Sequence, residues 1–258
     1  RVVSYLKVCC TSSCGANIKV EMWGRCTNTH ASEIIGENTA LIVGIQPVSL
    51  GLVEAPGNYG ADIVVGEGQP LGSPVTAGGP IYGIFACSKT YLRLMPGRIV
   101  GRSIDVDGKE AYCLTLSTRE QHIRRHRATS NICTNETLIA LMGAMHMALV
   151  GPEGLEHLAL RNITACNLAK KKLGEINTVA IPHVAGTHFN EFIVELPSSA
   201  SDCLNYLDGV GIIGGFDASR WYPNRKNWLL VTVTDQTSSQ EIELLAAHIA
   251  VWSAGVIA

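Results

Sequence analysis

Short apolar runs separated by turn residues dominate the first part of the chain. Residues 40–45 (ALIVGI) are a continuous apolar run with the length of a buried strand in a parallel sheet, and residues 61–65 (ADIVV) predict a second buried strand. Residues 81–86 predict a third strand, and residues 89–95 predict a short helix or an edge segment. The glycine-rich stretch 66–80 has neither Walker nor GxGxxG spacing, so we interpret it as a closely packed loop rather than a phosphate site.

Two helices are predicted on either side of a break at Gly151 and Pro152. Residues 138–150 form an apolar run that is too short to span a bilayer, so we expect a buried helix. Proline suits the first turn of a helix, and residues 153–173 have the pattern of an amphipathic helix that ends in three lysines. The chain therefore changes character near residue 151.

The last part of the chain alternates short strands with helices. The patterns predict a first strand with a proline after it, a short helix, two further strands and a final helix capped by Thr237 and Gln240 that runs to about residue 252. In order, these elements cover residues 192–196, 202–207, 211–215, 228–233 and 237–252. We expect an α/β domain over residues 1–150 and a smaller α+β domain over residues 151–258.

A basic stretch and a polar turn lie between the strands and the apolar helix. Residues 118–127 contain four arginines and two histidines, and a capping box that begins at Ser117 predicts that they are helical. Because the cations are spread around that helix, we expect a solvated or subunit-facing element rather than a nucleic-acid site. In the turn over residues 128–135 (ATSNICTN), hydroxyl and amide groups could bind an anion, or Thr129 and Asn131 could only cap the next helix.

Composition and charge exclude several classes of function. With 258 residues, 47% hydrophobic and 16% charged, the chain can bury a sizeable core. A net charge of −2 and a pI near 6.5 give no general attraction to nucleic acid or to anionic membranes. The nine cysteines are odd in number and include no Cys-x-x-Cys pair, so we expect reduced thiols in the cytoplasm and no metal site.

Seven stretches of this sequence resemble the glycine cleavage system P-protein, in its N-terminal half or, where the enzyme is split, its subunit 1. They are PVSLG (47–51), YGADIVVGEGQPLG (59–72), MPGRIVG (95–101), TREQHIRR (118–125), ATSNICTN (128–135), FNEF (189–192) and GIIGG (211–215). The resemblance begins near Ile34 and covers most of the chain after it. Residues 1–33 do not share it, and we expect an atypical leader there.

The resemblance implies a fold-type I pyridoxal 5′-phosphate (PLP) enzyme fold of the α/β class. Residues 1–150 would be the rear part of an incomplete large domain with a mainly parallel sheet, and residues 151–258 the small C-terminal α+β domain. Because a complete subunit has further strands before these, and because the chain starts at Arg1 rather than Met, we expect it to be the C-terminal part of that subunit.

The family's reaction is decarboxylation of glycine, with the aminomethyl group passed to the lipoyl arm of the H-protein. Such a site needs a lysine after the second strand to hold PLP as an imine and an aspartate on the preceding strand. No lysine occurs between Lys19 and Lys89. Matched to the catalytic half of the family, the lysine position falls near Pro70 and the acidic position falls near Val43. We therefore expect a non-catalytic subunit whose lysine-bearing partner, subunit 2, holds the PLP.

The resemblance also suggests where this chain could meet its partner's cofactor. In fold-type I dimers, a loop before the long interdomain helix commonly reaches the neighbour's PLP phosphate. We expect Thr129 and Ser130 to donate hydroxyl hydrogen bonds to that phosphate, with Arg124 or Arg125 supplying charge. No catalytic residue and no metal ligand is predicted in this chain, and in a eukaryote the location would be the mitochondrial matrix.

A second interpretation belongs to a different functional class. On it, the chain is a catalytically silent scaffold or binding protein built on a decayed fold-type I fold. Co-purification with a lysine-bearing protein of similar size, and with bound PLP in the complex alone, distinguishes the two interpretations.

Overall fold

The computed structural model describes residues 10–11, 17–18, 39–76, 78–128, 136–182 and 188–257 of the chain. Strands β1 (Cys10–Thr11) and β2 (Asn17–Ile18) pair antiparallel near its start. Apart from these two strands, the predicted leader lies outside the described residues.

A three-stranded sheet with the order β3-β4-β5 confirms the first three predicted strands. It consists of β3 (Ile42–Ile45), β4 (Ile63–Glu67) and β5 (Gly83–Cys87). The first two strands are parallel, whereas β5 runs antiparallel to β4. A parallel neighbour needs a crossover that is usually helical, and the described residues between β4 and β5 contain no helix. The chain therefore returns through a wide loop, and only one of the two pairings is parallel.

An antiparallel hairpin that is not among the predicted elements follows the sheet. Its strands are β6 (Ile99–Ile104) and β7 (Glu110–Thr115). In the connecting turn, the Asp105 carboxylate accepts a hydrogen bond from the backbone N–H of Asp107 at 2.9 Å. The dipeptide of Asp107 and Gly108 between two β-prone runs is a hairpin signal that could have been used.

The basic stretch is not one helix, contrary to the prediction. It consists of a 3-10 turn (Ser117–Arg119), a single helical turn α1 (Gln121–Arg124) and a second 3-10 turn (Arg125–Arg127). The predicted capping box is wrong because the carboxylate of Glu120 lies inside the protein, 3.3 Å from the guanidinium of Arg119. Both residues are buried, so this carboxylate is not available at a helix terminus.

Arg119 joins two segments that are distant in sequence. Besides its ion pair with Glu120, its guanidinium donates hydrogen bonds to the carbonyl oxygens of Met95 and, at 2.7 Å, of Gly97. The turn before β6 is thereby held against the start of the basic stretch. Arg119, which the sequence pattern assigns to a solvated helix, is in fact buried and links two segments of the chain.

The long helix α2 (Thr137–Gly174) follows, and it contains the predicted break. At Gly151 the backbone has φ 65° and ψ −179°, which is not helical, so two helices meet there at a kink. A positive φ of this size is readily adopted only by glycine. The break predicted from Gly151 and Pro152 is confirmed.

The first half of α2 is exposed, which contradicts the prediction of a buried helix. Leu138, Leu141, Met145 and Leu149 are between 53% and 87% exposed, and Gly143 is the one buried residue before the kink in this described stretch. An apolar run indicates that a helix needs cover but does not identify what covers it. No described part of this chain lies over that face.

Among the described residues, α2 is the one helix that is long and apolar enough to cross a membrane, by length and composition alone. Its second half nevertheless contributes Cys166, Ala169 and Leu173 to a protein core, and all three are fully buried. One face of that half of the helix is therefore packed against polypeptide, while its other faces are exposed.

The C-terminal part is an antiparallel sheet with the order β8-β10-β9, packed against helices. Its strands are β8 (Glu191–Glu195), β9 (Phe216–Asp217) and β10 (Trp228–Thr232). The strand predicted at residues 211–215 is wrong, because this glycine-rich stretch is irregular and the chain becomes extended only at Phe216. Gly211 and Gly215 have positive φ there, which interrupts strand geometry.

Two helices complete this part, α3 (Ala200–Gly209) and α4 (Ser239–Ile257). The predicted cap of the last helix is one residue too early. The hydroxyl of Ser238 accepts from the backbone N–H of Glu241 at 3.2 Å, and the Glu241 carboxylate accepts from the backbone N–H of Ser238 at 2.7 Å. The hydrogen bonds that the Glu241 carboxylate accepts from the backbone N–H and from the hydroxyl of Ser238 lower the pKa of Glu241. The capping box is therefore formed by Ser238 and Glu241.

Two groups of buried side chains support the fold. The larger one combines the second half of α2 with β8, β10, α3 and α4. The smaller one joins Val48 and Leu71, next to the first sheet, to Ala159 and Phe189. Because Ala159 and Phe189 follow the kink, the smaller core ties the two predicted domains together. The boundary near residue 151 stays a prediction.

We expect Arg119→Met to lower the free energy of unfolding by about 3–5 kcal/mol, because Glu120 would then be buried without its partner. Urea denaturation of the purified chain measures this loss. Arg127→Met is the control, because Arg127 is exposed and its replacement should change stability by less than about 0.5 kcal/mol. The double variant Arg119→Met with Glu120→Leu should recover much of the loss, and equal stability of all variants would contradict the proposed role of the ion pair.

Candidate functional site

The candidate site lies where the parallel strands β3 and β4 end. In open α/β sheets, ligands bind outside the carboxyl ends of the strands. Here that edge continues into a 3-10 turn (Pro47–Gly51) after β3 and a glycine-containing turn over residues 68–73 after β4. Both turns belong to stretches that carry the resemblance described above. They are PVSLG (47–51) and the end of YGADIVVGEGQPLG (59–72).

The turn after β4 is closed by its own hydrogen bonds. The backbone N–H of Leu71 donates to the Gly68 oxygen at 2.9 Å, and the N–H of Ser73 donates to the Gln69 oxygen at 3.1 Å. The Gln69 side chain also donates to the Ser73 oxygen at 2.8 Å. The turn is therefore a compact structure that does not depend on a ligand for its shape.

Tyr82 fixes this turn against α2. The backbone N–H of Gly68 donates to the backbone carbonyl oxygen of Tyr82 at 2.7 Å, and the tyrosine ring packs against Gly68. The same ring reaches Gly143 of α2, where a Cβ atom would overlap the phenol. One aromatic side chain thus occupies the space that two glycines leave free. His146 packs against the same turn one helical turn further along α2.

Three polar side-chain atoms beside this turn are buried without a hydrogen-bond partner in the described part of the chain. They are the hydroxyls of Ser73 and Tyr82 and the Nε2 atom of His146. Burial, and then the nearby Glu67 carboxylate, raise the pKa of Tyr82, so its phenol remains a protonated donor at neutral pH. A buried polar group without a partner costs about 1–3 kcal/mol, so this edge is polar and incomplete.

The charges that covalent attachment of PLP requires are absent from this edge. The loop over residues 66–80 contains no lysine, and Pro70 stands in the closed turn. Val43 of β3 is 1% exposed, and β3 carries no carboxylate. The Asp62 carboxylate accepts from the backbone N–H of Leu41 at 2.9 Å, at the opposite end of the strands. The donor set of this edge therefore does not fit a PLP held covalently at it.

The predicted anion-binding residues are only partly within the described structure. Thr129 and Ser130 lie outside the described residues, as does the alternative helix cap at Asn131. Arg124 and Arg125 are exposed at the end of α1, where Arg125 has a positive φ of 52°. The phosphate contact stays a prediction for all four of its residues.

The polar groups around the turn were not among the predicted site residues. His146 is visible in the sequence as the one imidazole in an apolar run, and this signal could have marked it. Tyr82 and Ser73 carry no such signal, because their neighbours come from α2, more than 60 positions away in the case of Gly143. Their meeting depends on tertiary structure.

Comparison with protein families places most of the chain in one of them. The model of the family described as glycine cleavage system P-protein matches residues 20–249. The match begins earlier than the start near Ile34 that the motifs suggest, and so it enters the predicted leader.

Curated relatives are similarly uniform. Proteins described as "Probable glycine dehydrogenase (decarboxylating) subunit 1" are 47% identical over 80% of this chain in Geotalea daltonii and 45% identical over 93% in Maricaulis maris. These alignments cover 46% and 55% of the relatives. The chain spans about half the length of the curated relatives it matches.

Solved structures agree on the fold. A glycine decarboxylase (P-protein) of the glycine cleavage system, in inhibitor-bound form, superposes with a TM-score of 0.76 at 38% identity, over 83% of this chain and 48% of that one. A NifS-like protein from Rickettsia africae shares the fold at 13% identity, with a TM-score of 0.55, over 81% of this chain and 52% of that one. The fold is that of the fold-type I PLP-dependent enzymes, and the chain belongs to the glycine cleavage system P-protein family.

Proposed function

We propose that this chain is a non-catalytic part of glycine dehydrogenase (aminomethyl-transferring), working with a lysine-bearing subunit. Together they would decarboxylate glycine and pass its aminomethyl group to the lipoyl H-protein, with PLP bound covalently by the partner. The observation that carries the proposal is the edge at β3 and β4. It has a closed turn after β4, but the loop over residues 66–80 contains no lysine and β3 carries no carboxylate.

The buried polar groups beside the turn support completion of this edge by another chain. Three polar atoms there can each form a hydrogen bond but have no hydrogen-bond partner among the described residues. They are the hydroxyls of Ser73 and Tyr82 and the Nε2 atom of His146. Native proteins rarely leave such groups unsatisfied. A loop of the partner subunit that bonds to them would recover part of their desolvation cost.

The first half of α2 supports a stable partner in a second way. Residues 137–150 contain no charged side chain, and the helix is apolar on its inner face and on its outer face. A helix that is apolar all round is normally buried. Leu138, Leu141, Met145 and Leu149 recur at spacings of three and four residues, which is the stripe that a second element packs against. We assign this stripe, called here the α2 stripe, to the partner subunit.

The phosphate contact remains part of the proposal. Arg124 and Arg125 precede Thr129 and Ser130 in the sequence, and both arginines are exposed. A guanidinium and two hydroxyls would give charge-assisted hydrogen bonds to the phosphate of the partner's PLP. The role of this chain would then be binding and positioning, while the partner supplies the amine.

Reconstitution of the full chain with a lysine-bearing subunit tests the function. The complex should release carbon dioxide from carboxyl-labelled glycine in the presence of lipoyl H-protein, and each subunit alone should not. PLP absorbance should appear in the complex and not in this chain alone. A complex that forms and binds PLP but never turns over would instead favour the silent scaffold, and PLP bound covalently to this chain would refute both interpretations.

We expect Met145→Glu to weaken the complex with the lysine-bearing subunit at least about 30-fold, because an unpaired carboxylate would be buried at the α2 stripe. Titration calorimetry with the purified partner measures the change. Met145 is 60% exposed in this chain, so the variant should fold normally. Val251→Glu is the matched control, because Val251 is 64% exposed on α4, and it should leave the affinity unchanged. Equal affinity of both variants would contradict the assignment.

We expect Thr129→Ala to lower the affinity of the reconstituted complex for PLP about 10-fold, as the loss of one hydrogen bond to a charged phosphate predicts. Equilibrium dialysis of PLP against the complex measures it. Thr118→Ala is the control, because Thr118 is an exposed hydroxyl in the neighbouring 3-10 turn. If PLP binds the Thr129 variant and the unchanged complex equally well, the hydroxyl only caps a helix.

A further inference from the structure

A second surface of contrasting chemistry lies at the edge of the C-terminal sheet. The segment over residues 220–226 (RWYPNRK) connects β9 to β10, and every residue of it is exposed. It carries three cations and two large aromatic side chains within seven positions. Trp221 is 62% exposed, which is unusual because tryptophan side chains are highly buried on average.

The cations and rings of this segment form two stacks. Phe216 stacks on Trp221 with ring centroids 4.6 Å apart and an interplanar angle of 24°. The guanidinium of Arg220 lies 5.0 Å from the centroid of the Phe216 ring. In the second stack, the guanidinium of Arg225 lies 4.8 Å from the centroid of the Trp228 ring. We call the exposed side chains of these stacks, together with Lys226, the aromatic–cation patch.

The backbone beneath the patch is held in place. The N–H of Tyr222 donates to the Ala218 oxygen at 3.0 Å, and the N–H of Arg225 donates to the Tyr222 oxygen at 2.8 Å. The oxygen of Lys226 accepts from the N–H of Ala200 at the start of α3, at 2.9 Å. The rings and guanidinium groups are thus presented on a fixed frame. A preformed surface loses little conformational entropy when it binds a partner.

The aromatic–cation patch contains three cations and no carboxylate. Within the described residues, Arg220, Arg225 and Lys226 form no ion pair. The neighbouring carboxylate of Asp217 accepts a hydrogen bond from the backbone N–H of Ser219 at 2.8 Å. Exposed tryptophan, tyrosine and arginine side chains are the residue types that dominate binding energy in protein interfaces. Charge complementarity therefore points to a partner surface with clustered carboxylates.

Other occupants fit the patch less well. A second copy in a two-fold contact would bring the three cations against their own equivalents, which is repulsive. Surfaces that bind anionic lipids typically present four to eight clustered cations, and nucleic-acid sites belong to strongly basic domains. This patch has three cations, and the chain has a pI near 6.5. An acidic protein surface remains the best match.

We propose that the aromatic–cation patch is the docking surface for the lipoyl carrier, the H-protein, and that the carrier presents clustered carboxylates to it. This inference rests on the proposed function, in which two proteins must bind this chain for different lengths of time. The lysine-bearing subunit would stay bound and would need an apolar interface such as the α2 stripe. The carrier must leave after each transfer, and a charged surface gives fast, reversible association.

The test uses the reconstituted complex and purified lipoyl H-protein carrying a fluorescent label. Trp221→Ala should weaken H-protein binding about 30-fold, as expected for the loss of a central aromatic anchor. Arg220→Glu should weaken it about 10-fold and reduce its dependence on salt concentration. Lys109→Glu, at the tip of the β6–β7 hairpin, makes the same change in net charge and should leave binding unchanged.

Turnover separates this inference from the proposed function. With H-protein as acceptor, the patch variants should raise KM for H-protein without changing KM for glycine. With free lipoamide as acceptor, they should match the unchanged complex. If turnover occurs and the variants bind H-protein normally, the docking surface is wrong while the proposed function stands. If no acceptor supports turnover, the proposed function fails, and the binding titration still decides the docking surface.

Three further measurements decide between occupants. The complex is sedimented with phosphatidylserine vesicles, titrated with a single-stranded oligonucleotide, and examined for self-association by light scattering. We expect none of these to change in the Trp221→Ala and Arg220→Glu variants. If the variants lose one of these interactions and keep normal H-protein binding, the patch serves a membrane, a nucleic acid or a second copy, and the inference is overturned.

Discussion

The contact of Tyr82 with two glycines holds the candidate site together. Its backbone oxygen binds the N–H of Gly68, and its ring fills the space beside Gly68 and Gly143. Tyr82 thereby joins the sheet edge, the closed turn and the long helix. Because any Cβ at Gly143 would overlap the phenol, the position of the helix and the shape of the turn are set together. The edge of the sheet has a fixed shape even though it lacks the charges for covalent chemistry.

Local pattern was enough to predict the elements whose signals are local. The strands β3, β4 and β5, the break at Gly151 and the strand around Phe192 follow from apolar runs and from glycine and proline positions. The absence of a lysine from the loop over residues 66–80 is likewise read directly from the sequence. These features concern residues that are neighbours along the chain, so no knowledge of tertiary contacts was needed.

The features that the sequence did not predict correctly have a common physical origin, because they depend on contacts between distant residues. Arg119 resembles its exposed basic neighbours until its hydrogen bond to Gly97, 22 positions away, is known. The apolar run before Gly151 was expected to be buried because apolarity measures the need for cover and not the cover itself. Ser73, Tyr82 and His146 meet only when α2 lies across the sheet edge. Sequence patterns therefore predicted the parts, whereas the site depends on how they pack.

The two exposed surfaces differ in the way that stable and transient interfaces differ. The α2 stripe offers aliphatic and methionine side chains without charge, and its burial removes apolar area from water, which favours a long-lived complex. The aromatic–cation patch offers guanidinium groups already oriented by rings, so an acidic partner gains electrostatic attraction at little cost in side-chain ordering. Stable association needs buried apolar area, and rapid exchange needs charge that solvent can reach. Under the proposed function, the α2 stripe would retain the partner that carries the chemistry, and the aromatic–cation patch would receive the carrier that removes the product.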